Sequence, residues 1–239
     1  MLAPELKVGF RTIENACVAI NRRQNALRLK APSTLTMRWL LGALEDFQLS
    51  HPQSRVQLTS AWMDLDAVDF HNEPFDCAIL LGHGGFPADW NRVKLFDEWL
   101  VPVCSPEILG GASWAAEQLA SAELIHPSRD CRDWRRWLQR VGLIDVIAWQ
   151  QGKLFDTLEL GISAAAQGHG VSIGDLALVG TELRKGTLVL PFEQAVRSGD
   201  SYYLVWPASG ETPATLTRMK DYLLQHLPDV GSRGVSLLD

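Results

Sequence analysis

Apolar residues near the start fall at Leu2, Leu6, Phe10, Ile13, Cys17 and Ile20, in steps of 4, 4, 3, 4 and 3. That spacing is the stripe of one amphipathic helix. The polar stretch 21–25 follows it, which leaves two readings: a helix packed on its own domain, or one paired with a partner chain. Next, Leu27-Arg28-Leu29-Lys30-Ala31 alternates as a strand does. Pro32-Ser33-Thr34 then supplies a helix N-cap ahead of Leu35, Trp39, Leu40, Leu44 and Phe47, and His51-Pro52 stops that helix. Residues 56–59 read as a second strand, and 77–81 as a short, wholly apolar one bounded by Gly82, Gly84 and Gly85. Strand, helix, strand and strand in this order predict a parallel sheet covered by helices.

The pattern restarts after an apolar strand at 100–104. A strand at 122–126, a helix over 133–141, a helix over 156–167 ended by Gly168 and Gly170, and a strand at 171–173 make a second α/β unit. A strong strand at 201–206 and a closing helix over 214–227 complete the chain.

Composition narrows the class. The chain has 239 residues, 46% of them apolar and 21% charged, which suits one large or two small globular domains and excludes disordered and fibrous classes. With 22 Lys and Arg against 28 Asp and Glu, the net charge is −6, so the chain as a whole repels nucleic acid. Any DNA contact is expected to be local or to lie outside this chain. Cys17, Cys77, Cys104 and Cys131 show no CxxC spacing, which argues against a zinc site, a redox motif or a disulfide framework. A reduced, cytoplasmic setting is expected. The start lacks a secretory pattern and no apolar run of membrane-spanning length occurs, so neither a membrane partner nor an export signal is expected.

Few motifs carry chemistry. Gly170-Val171-Ser172-Ile173-Gly174 matches a nucleophile elbow, and Asp200 or Asp221 and His226 follow in hydrolase order. An elbow needs a strand before the serine and a helix after it, whereas here a helix precedes Ser172 and a strand contains it. No catalytic residue is assigned. Residues 129–140 mix five arginines with Trp134 and Trp137, but Trp134, Trp137, Leu138 and Val141 share one helical face and leave the arginines on a solvated one. His51, His71, His83, His126, His169 and His226 show no metal-ligand spacing, and no metal or cofactor is expected. His83, in a glycine loop after a buried strand, is a candidate cleft residue. The helix starts at Ser33-Thr34 and Asp156-Thr157 place short polar side chains and free backbone N–H groups just beyond strand ends. Each is either a plain N-cap or half of an anion site between two lobes.

With these residues in view, 27–227 resembles the effector-binding region of a LysR-type transcriptional regulator. The resemblance rests on Leu27-Arg28-Leu29-Lys30-Ala31-Pro32-Ser33-Thr34, on Trp39-Leu40-Leu41 and Leu44-Glu45-Asp46-Phe47, on His51-Pro52 and on Phe75-Asp76-Cys77-Ala78-Ile79. It continues through Leu100-Val101-Pro102-Val103-Cys104-Ser105-Pro106, the segment 164–173 and Tyr202-Tyr203-Leu204-Val205. The 101–106 segment and the 82–90 loop are most similar to the subgroup holding the glycine-cleavage activator and the β-lactamase regulator.

The resemblance implies an α/β fold like that of type 2 periplasmic binding proteins, with two Rossmann-like lobes joined by two crossing strands. It implies a linker-helix remnant at 1–25, lobe I at 26–103 plus 204–239, and lobe II at 104–203. The winged helix-turn-helix of full-length members has no counterpart here, so an expressed fragment or a truncated reading frame is expected. The implied effector cleft is lined by Pro32, Ser33, Thr34, Leu35 and Asp66 on one side, by Phe155, Asp156 and Thr157 across from them, and by Gly82, His83 and Tyr203 near the hinge. Hydroxyls and helix-start amides there suit a carboxylate, and Asp66 or Asp156 an ammonium, as in an amino acid or peptide-like effector. The implied partners are that effector, a second copy of the chain in a dimer or tetramer through the helix 34–49 and the strand 56–61, and DNA only through an N-terminal domain. Two other roles share the fold: a transporter's solute-binding protein, and a stand-alone interaction module.

Overall fold

In the computed structural model the described residues are 26–61, 68–111, 113–231 and 234–239. The helix expected over 2–20, Cys17 and Asp66 lie outside them.

The alternation Leu27, Leu29, Ala31 builds β1 (Ala26–Pro32), whose apolar side chains are buried. Pro32 then ends the strand, and its fixed φ of −61° leads directly into helix, with no side chain bonding the free amides. Helix α1 (Ser33–Leu35) continues through a π-helical turn (Thr36–Leu40) into α2 (Leu41–Ser50). The expected helix is therefore present, but the expected side-chain N-cap is not, and Ser33 and Thr34 keep their hydroxyls for other partners.

The strands that follow are β2 (Arg55–Ala61), β3 (Cys77–Gly82), β4 (Trp90–Val103), β5 (Leu124–His126), β6 (Lys153–Leu154), β7 (Val171–Asp175), β8 (Gln194–Pro207) and β9 (Ser236–Leu238). They form one sheet in the order β2-β1-β3-β8-β4-β7-β5-β6, with β9 beside β8. The parallel pairing expected of the first strands is present, β1 lying parallel to both β2 and β3, while the sheet as a whole is mixed. Pairs β1–β2, β1–β3, β5–β6, β5–β7 and β8–β9 are parallel, whereas β8 against β3, and β4 against both β8 and β7, are antiparallel. Strands β4 and β8 have 14 residues each, run antiparallel to one another and pass from one half of the molecule to the other. Residues 90–99 did not read as strand because Arg92, Lys94, Asp97 and Glu98 interrupt the apolar pattern.

The first-half core gathers Leu29, Leu35, Leu40, Phe47, Ile79 and Leu204 with Leu216, Met219 and Leu223 of the closing helix α8 (Ala214–Gln225). Short helices α3 (Pro106–Leu109) and α4 (Ala116–Ser121) lead into the second half, whose core holds Leu119, Trp134, Trp137, Leu138 and Ile173. Helix α5 (Arg132–Val141) places both tryptophans at zero exposure, edge to face at 6.0 Å. Their indole N–H groups donate to the carbonyls of Ile125 and Gln194, each at 2.9 Å. Such side chains are core anchors worth about 3–5 kcal/mol on truncation, which removes the base-stacking reading of this segment. Helices α6 (Leu158–Ala166) and α7 (Leu176–Lys185) cover the other sheet face, and α7 packs Ala177 and Leu178 on the first-half core but Leu176 and Val179 on the second. Leu100, Val101 and Val103 also pack in the second-half clusters, and Tyr202 in the first.

Among the described residues no helix is long and apolar enough to cross a membrane.

Candidate effector cleft

Strands β4 and β8 lose register where they pass between the halves. Asp97 faces Ser201 and Trp99 faces Arg197, so one residue of β4, Glu98, stands opposite three of β8, Ser198, Gly199 and Asp200. Gly199 takes φ +92°, which lets the bulge form at little steric cost. Above this bulge lies a cleft of 420 Å³.

Its first wall is Pro32, Ser33 and Thr34 at the start of α1 with Leu80 and Leu81 of β3; its second is the 127–130 loop, Arg132 and Asp133 at the start of α5, and Asp156, Thr157 and Leu158 at the start of α6. Glu98, Leu100 and Tyr202 of the crossing strands form the floor. Five of the expected site residues thus come together: Pro32, Ser33, Thr34, Asp156 and Thr157.

The others fall elsewhere. Leu35 points into the first-half core at zero exposure. Phe155 packs against the core beneath α6, and Gly82 is buried at the end of β3. Tyr203 stands on the opposite sheet face, its ring against Phe86 at 5.3 Å; because side chains alternate along a strand, Tyr202 takes the cleft position instead. His83 lies outside the lining, its Nδ1 2.5 Å from Asp200 Oδ1.

At the rim, Thr157 caps α6 by accepting from the Leu160 amide at 3.2 Å. Asp156 therefore does not cap the helix; it accepts from Arg129 Nε at 2.8 Å in an exposed pair, a weak one by placement. Two short loops carry the second wall. Cys131, at φ 54°, turns the chain so that Ser128 Oγ donates to Asp133 Oδ2 at 3.0 Å.

Carboxyls gather at and beneath the cleft, Glu98 on its floor and Asp133 in its second wall with Asp175 and Asp200 behind the lining, and sequence reasoning missed them. Glu98, Asp133, Asp175 and Asp200 are all buried. Asp200 accepts from Arg136 Nη1 at 2.8 Å. Asp175 Oδ1 accepts from the amides of Trp99 and Ala177, at 3.2 and 3.1 Å, and its carboxyl also meets the Tyr202 hydroxyl. Burial, reinforced by Asp133 and Asp175, pushes Glu98 up to about 8. Burial likewise pushes Asp175 up to about 7, against the pull of those two amides and of the Tyr202 hydroxyl. Asp133 is raised by burial despite Arg132 and its bond from Ser128, and the buried Tyr202 hydroxyl is raised as well. The signal available in the sequence was Asp97-Glu98 inside an otherwise strand-like run, opposite the turn-like Ser198-Gly199-Asp200.

Ser172 is fully buried in β7 and its Oγ donates to the Ile173 carbonyl at 3.1 Å, so the elbow geometry is not formed. Among the described residues no group of His, Cys, Asp and Glu is arranged to hold a metal.

Residues 21–228 match the family described as the LysR substrate binding domain. The chain belongs to that family. Its LysR substrate-binding domain is 29% identical over 225 residues to the glycine cleavage system transcriptional activator of Escherichia coli K12, covering 92% of this chain and 72% of that protein. It is 30% identical over 211 residues to the transcriptional activator AmpR of Pseudomonas aeruginosa, covering 88% and 69%. The solved effector domain of AmpR from Pseudomonas aeruginosa superposes with a TM-score of 0.72 at 29% identity, covering 84% of this chain and 94% of that one. The AmpR effector binding domain of Citrobacter freundii, at 23% identity, shows the same fold with a TM-score of 0.73 over 84% and 98% of the two chains. The LysR substrate-binding domain described here thus has the type 2 periplasmic-binding-protein-like fold, and its relatives are named as transcriptional regulators.

Proposed function

We propose that this LysR substrate-binding domain senses a small molecule in the cleft and reports it to transcription through contacts between copies of the chain. The observation that supports this reading is the position of the cleft: its walls come from both halves and its floor from the two strands that join them. A molecule touching both walls stabilises one relative orientation of the halves over others, and can do so only by its differential affinity for them. DNA would be reached through an N-terminal domain of the kind the family carries.

Self-association is the second part of the proposal. Strand β2 is the edge of the sheet, and beside it Met37, Leu41 and Leu49 are 63%, 40% and 79% exposed along one helical stripe. An antiparallel pairing of two copies through the helix 34–49 and strand β2 covers both.

The test is a thermal-shift screen against amino acids, small carboxylates, aromatic acids and cell-wall peptides. At 100 times its dissociation constant a ligand adds about 2.7 kcal/mol, which raises the midpoint by roughly 5–10 °C in a domain of this size. A ligand whose shift persists when Thr34 is changed to Val and Thr157 to Val together would place the binding site elsewhere and defeat the reading.

A further inference from the structure

The carboxyls at and beneath the cleft outnumber the cations beside them. Four buried carboxyls, Glu98, Asp133, Asp175 and Asp200, meet two arginines. Arg136 is spent on Asp200 at 2.8 Å, and Arg132 approaches Asp133 only to 3.8 Å while also reaching Asp130 at 4.0 Å. His83 sits on the far oxygen of Asp200, 73% exposed and outside the lining. Glu98 makes no ion pair among the described residues, although it is only 5% exposed and faces open cleft. Its companions on β8 are the Ser198 hydroxyl and Tyr202, neither of them cationic. A buried carboxyl without a cation costs several kcal/mol as an anion, so it stays protonated or waits for one.

The rim has the opposite character. Ser33, Thr34 and Thr157 offer hydroxyls on the side where α1 and α6 begin, where Arg129 is paired with Asp156. Asp156, which the sequence suggested as an ammonium partner, is already occupied by Arg129.

We propose that the effector carries a free primary ammonium, seated between Glu98 of the cleft floor and Asp133 of the second wall, with its acidic end at the hydroxyl rim. The class is an α-amino acid or a short peptide with a free amino terminus, and 420 Å³ has room for either. The inference rests on the cleft being the effector site and adds which chemistry it selects. Because Glu98 is pushed up to about 8 by burial and by Asp133, Asp175 and Asp200, it is protonated in the empty cleft at neutral pH, and an arriving ammonium displaces that proton. Amine binding therefore releases a proton into solution and tightens as pH rises towards 8, the reverse of what a simple carboxylic acid ligand does.

The experiment is titration calorimetry of the whole chain with the common α-amino acids and with alanine and glycine dipeptides, each beside its N-acetyl and its des-amino counterpart. Runs in two buffers of different ionisation enthalpy measure the proton released. The expected result is that at least one amine binds, that its N-acetyl and des-amino forms bind at least tenfold more weakly, and that affinity rises about tenfold from pH 6 to pH 7.5. Glu98→Gln should abolish the proton release and the pH slope and weaken the amine at least tenfold, while its unliganded melting midpoint at pH 8 is no lower than that of the parent. Asp133→Asn serves as the second variant and should weaken the amine without removing the slope. Equal binding of the N-acetyl or des-amino form, or an unchanged slope in Glu98→Gln, overturns the ammonium seat and leaves the cleft as an effector site. If no compound of any form binds, the cleft reading and the ammonium seat fall together.

Discussion

At the scale of single residues, Glu98 and Asp175 set how the protein responds to pH. Both carboxyls stand above their ordinary values in the folded chain, at about 8 and about 7, because burial disfavours their charged forms. A group raised by folding adds stability that is complete below its unfolded value and is lost as pH rises through its folded one. The melting midpoint is therefore expected to fall between pH 5 and pH 9, by on the order of 2 kcal/mol or roughly 4–8 °C. Glu98→Gln, which has nothing to ionise, should flatten much of that fall. A parent midpoint that holds or rises over this window refutes the assignment. Asp97 has the opposite sign: burial raises it, but Lys94, Ser201 and Arg197 overcome that and hold it at about 2, so its contribution fades only in acid, between about pH 4 and pH 2.

At the scale of elements, the bulge between β4 and β8 decides what the cleft contains. Gly199 sits there at φ +92° with open space around the position of a Cβ, so Gly199→Ala meets conformational strain and no clash. The expected cost is about 1–2 kcal/mol, seen as a lower melting midpoint. Gly85 also has open space but no left-handed conformation, and Gly85→Ala should stay within about 0.5 kcal/mol of the parent. Equal effects at the two positions would show that the bulge does not rely on Gly199. Helix α5 contributes to the second wall, and its two fully buried tryptophans fix where Asp133 and Arg136 stand.

At the scale of the whole molecule, the halves are tied by more than their crossing strands. Arg38, its side chain 7% exposed beside the start of α1, pairs with Glu159 of α6 at 2.7 Å and Glu182 of α7 at 3.0 Å. Arg38→Gln leaves two glutamates facing each other without a cation. Since both are about a quarter exposed, the expected loss is about 1–3 kcal/mol rather than the full cost of a buried pair. Thermal melting reads the loss, and chymotrypsin or trypsin digestion should cut the segments between halves faster in the variant. Self-association belongs at this scale too. Sedimentation at micromolar concentration is expected to show a dimer of the 26.5 kDa chain, and Met37→Asp with Leu41→Asp to return it to monomer; a parent that sediments only as monomer removes the proposed interface.

The order of strands and helices was legible along the chain because it depends on local periodicity: alternation in β1, a 3–4 spacing of Trp134, Trp137 and Leu138, Pro32 between strand and helix. Half of the cleft was legible for the same reason, since Ser33, Thr34, Asp156 and Thr157 each sit where a strand hands over to a helix. The floor was not. Glu98 and Tyr202 look like surface or strand residues in sequence, and they meet at the cleft floor only when two long strands cross and one of them bulges. Whether Tyr202 or Tyr203 faces the cleft is a question of register, and register is fixed by pairing with β3 rather than by anything within the strand. Sequence determined the elements, whose stability is local. Tertiary structure decided which carboxyls lose water and cations together, because that depends on partners a hundred residues apart.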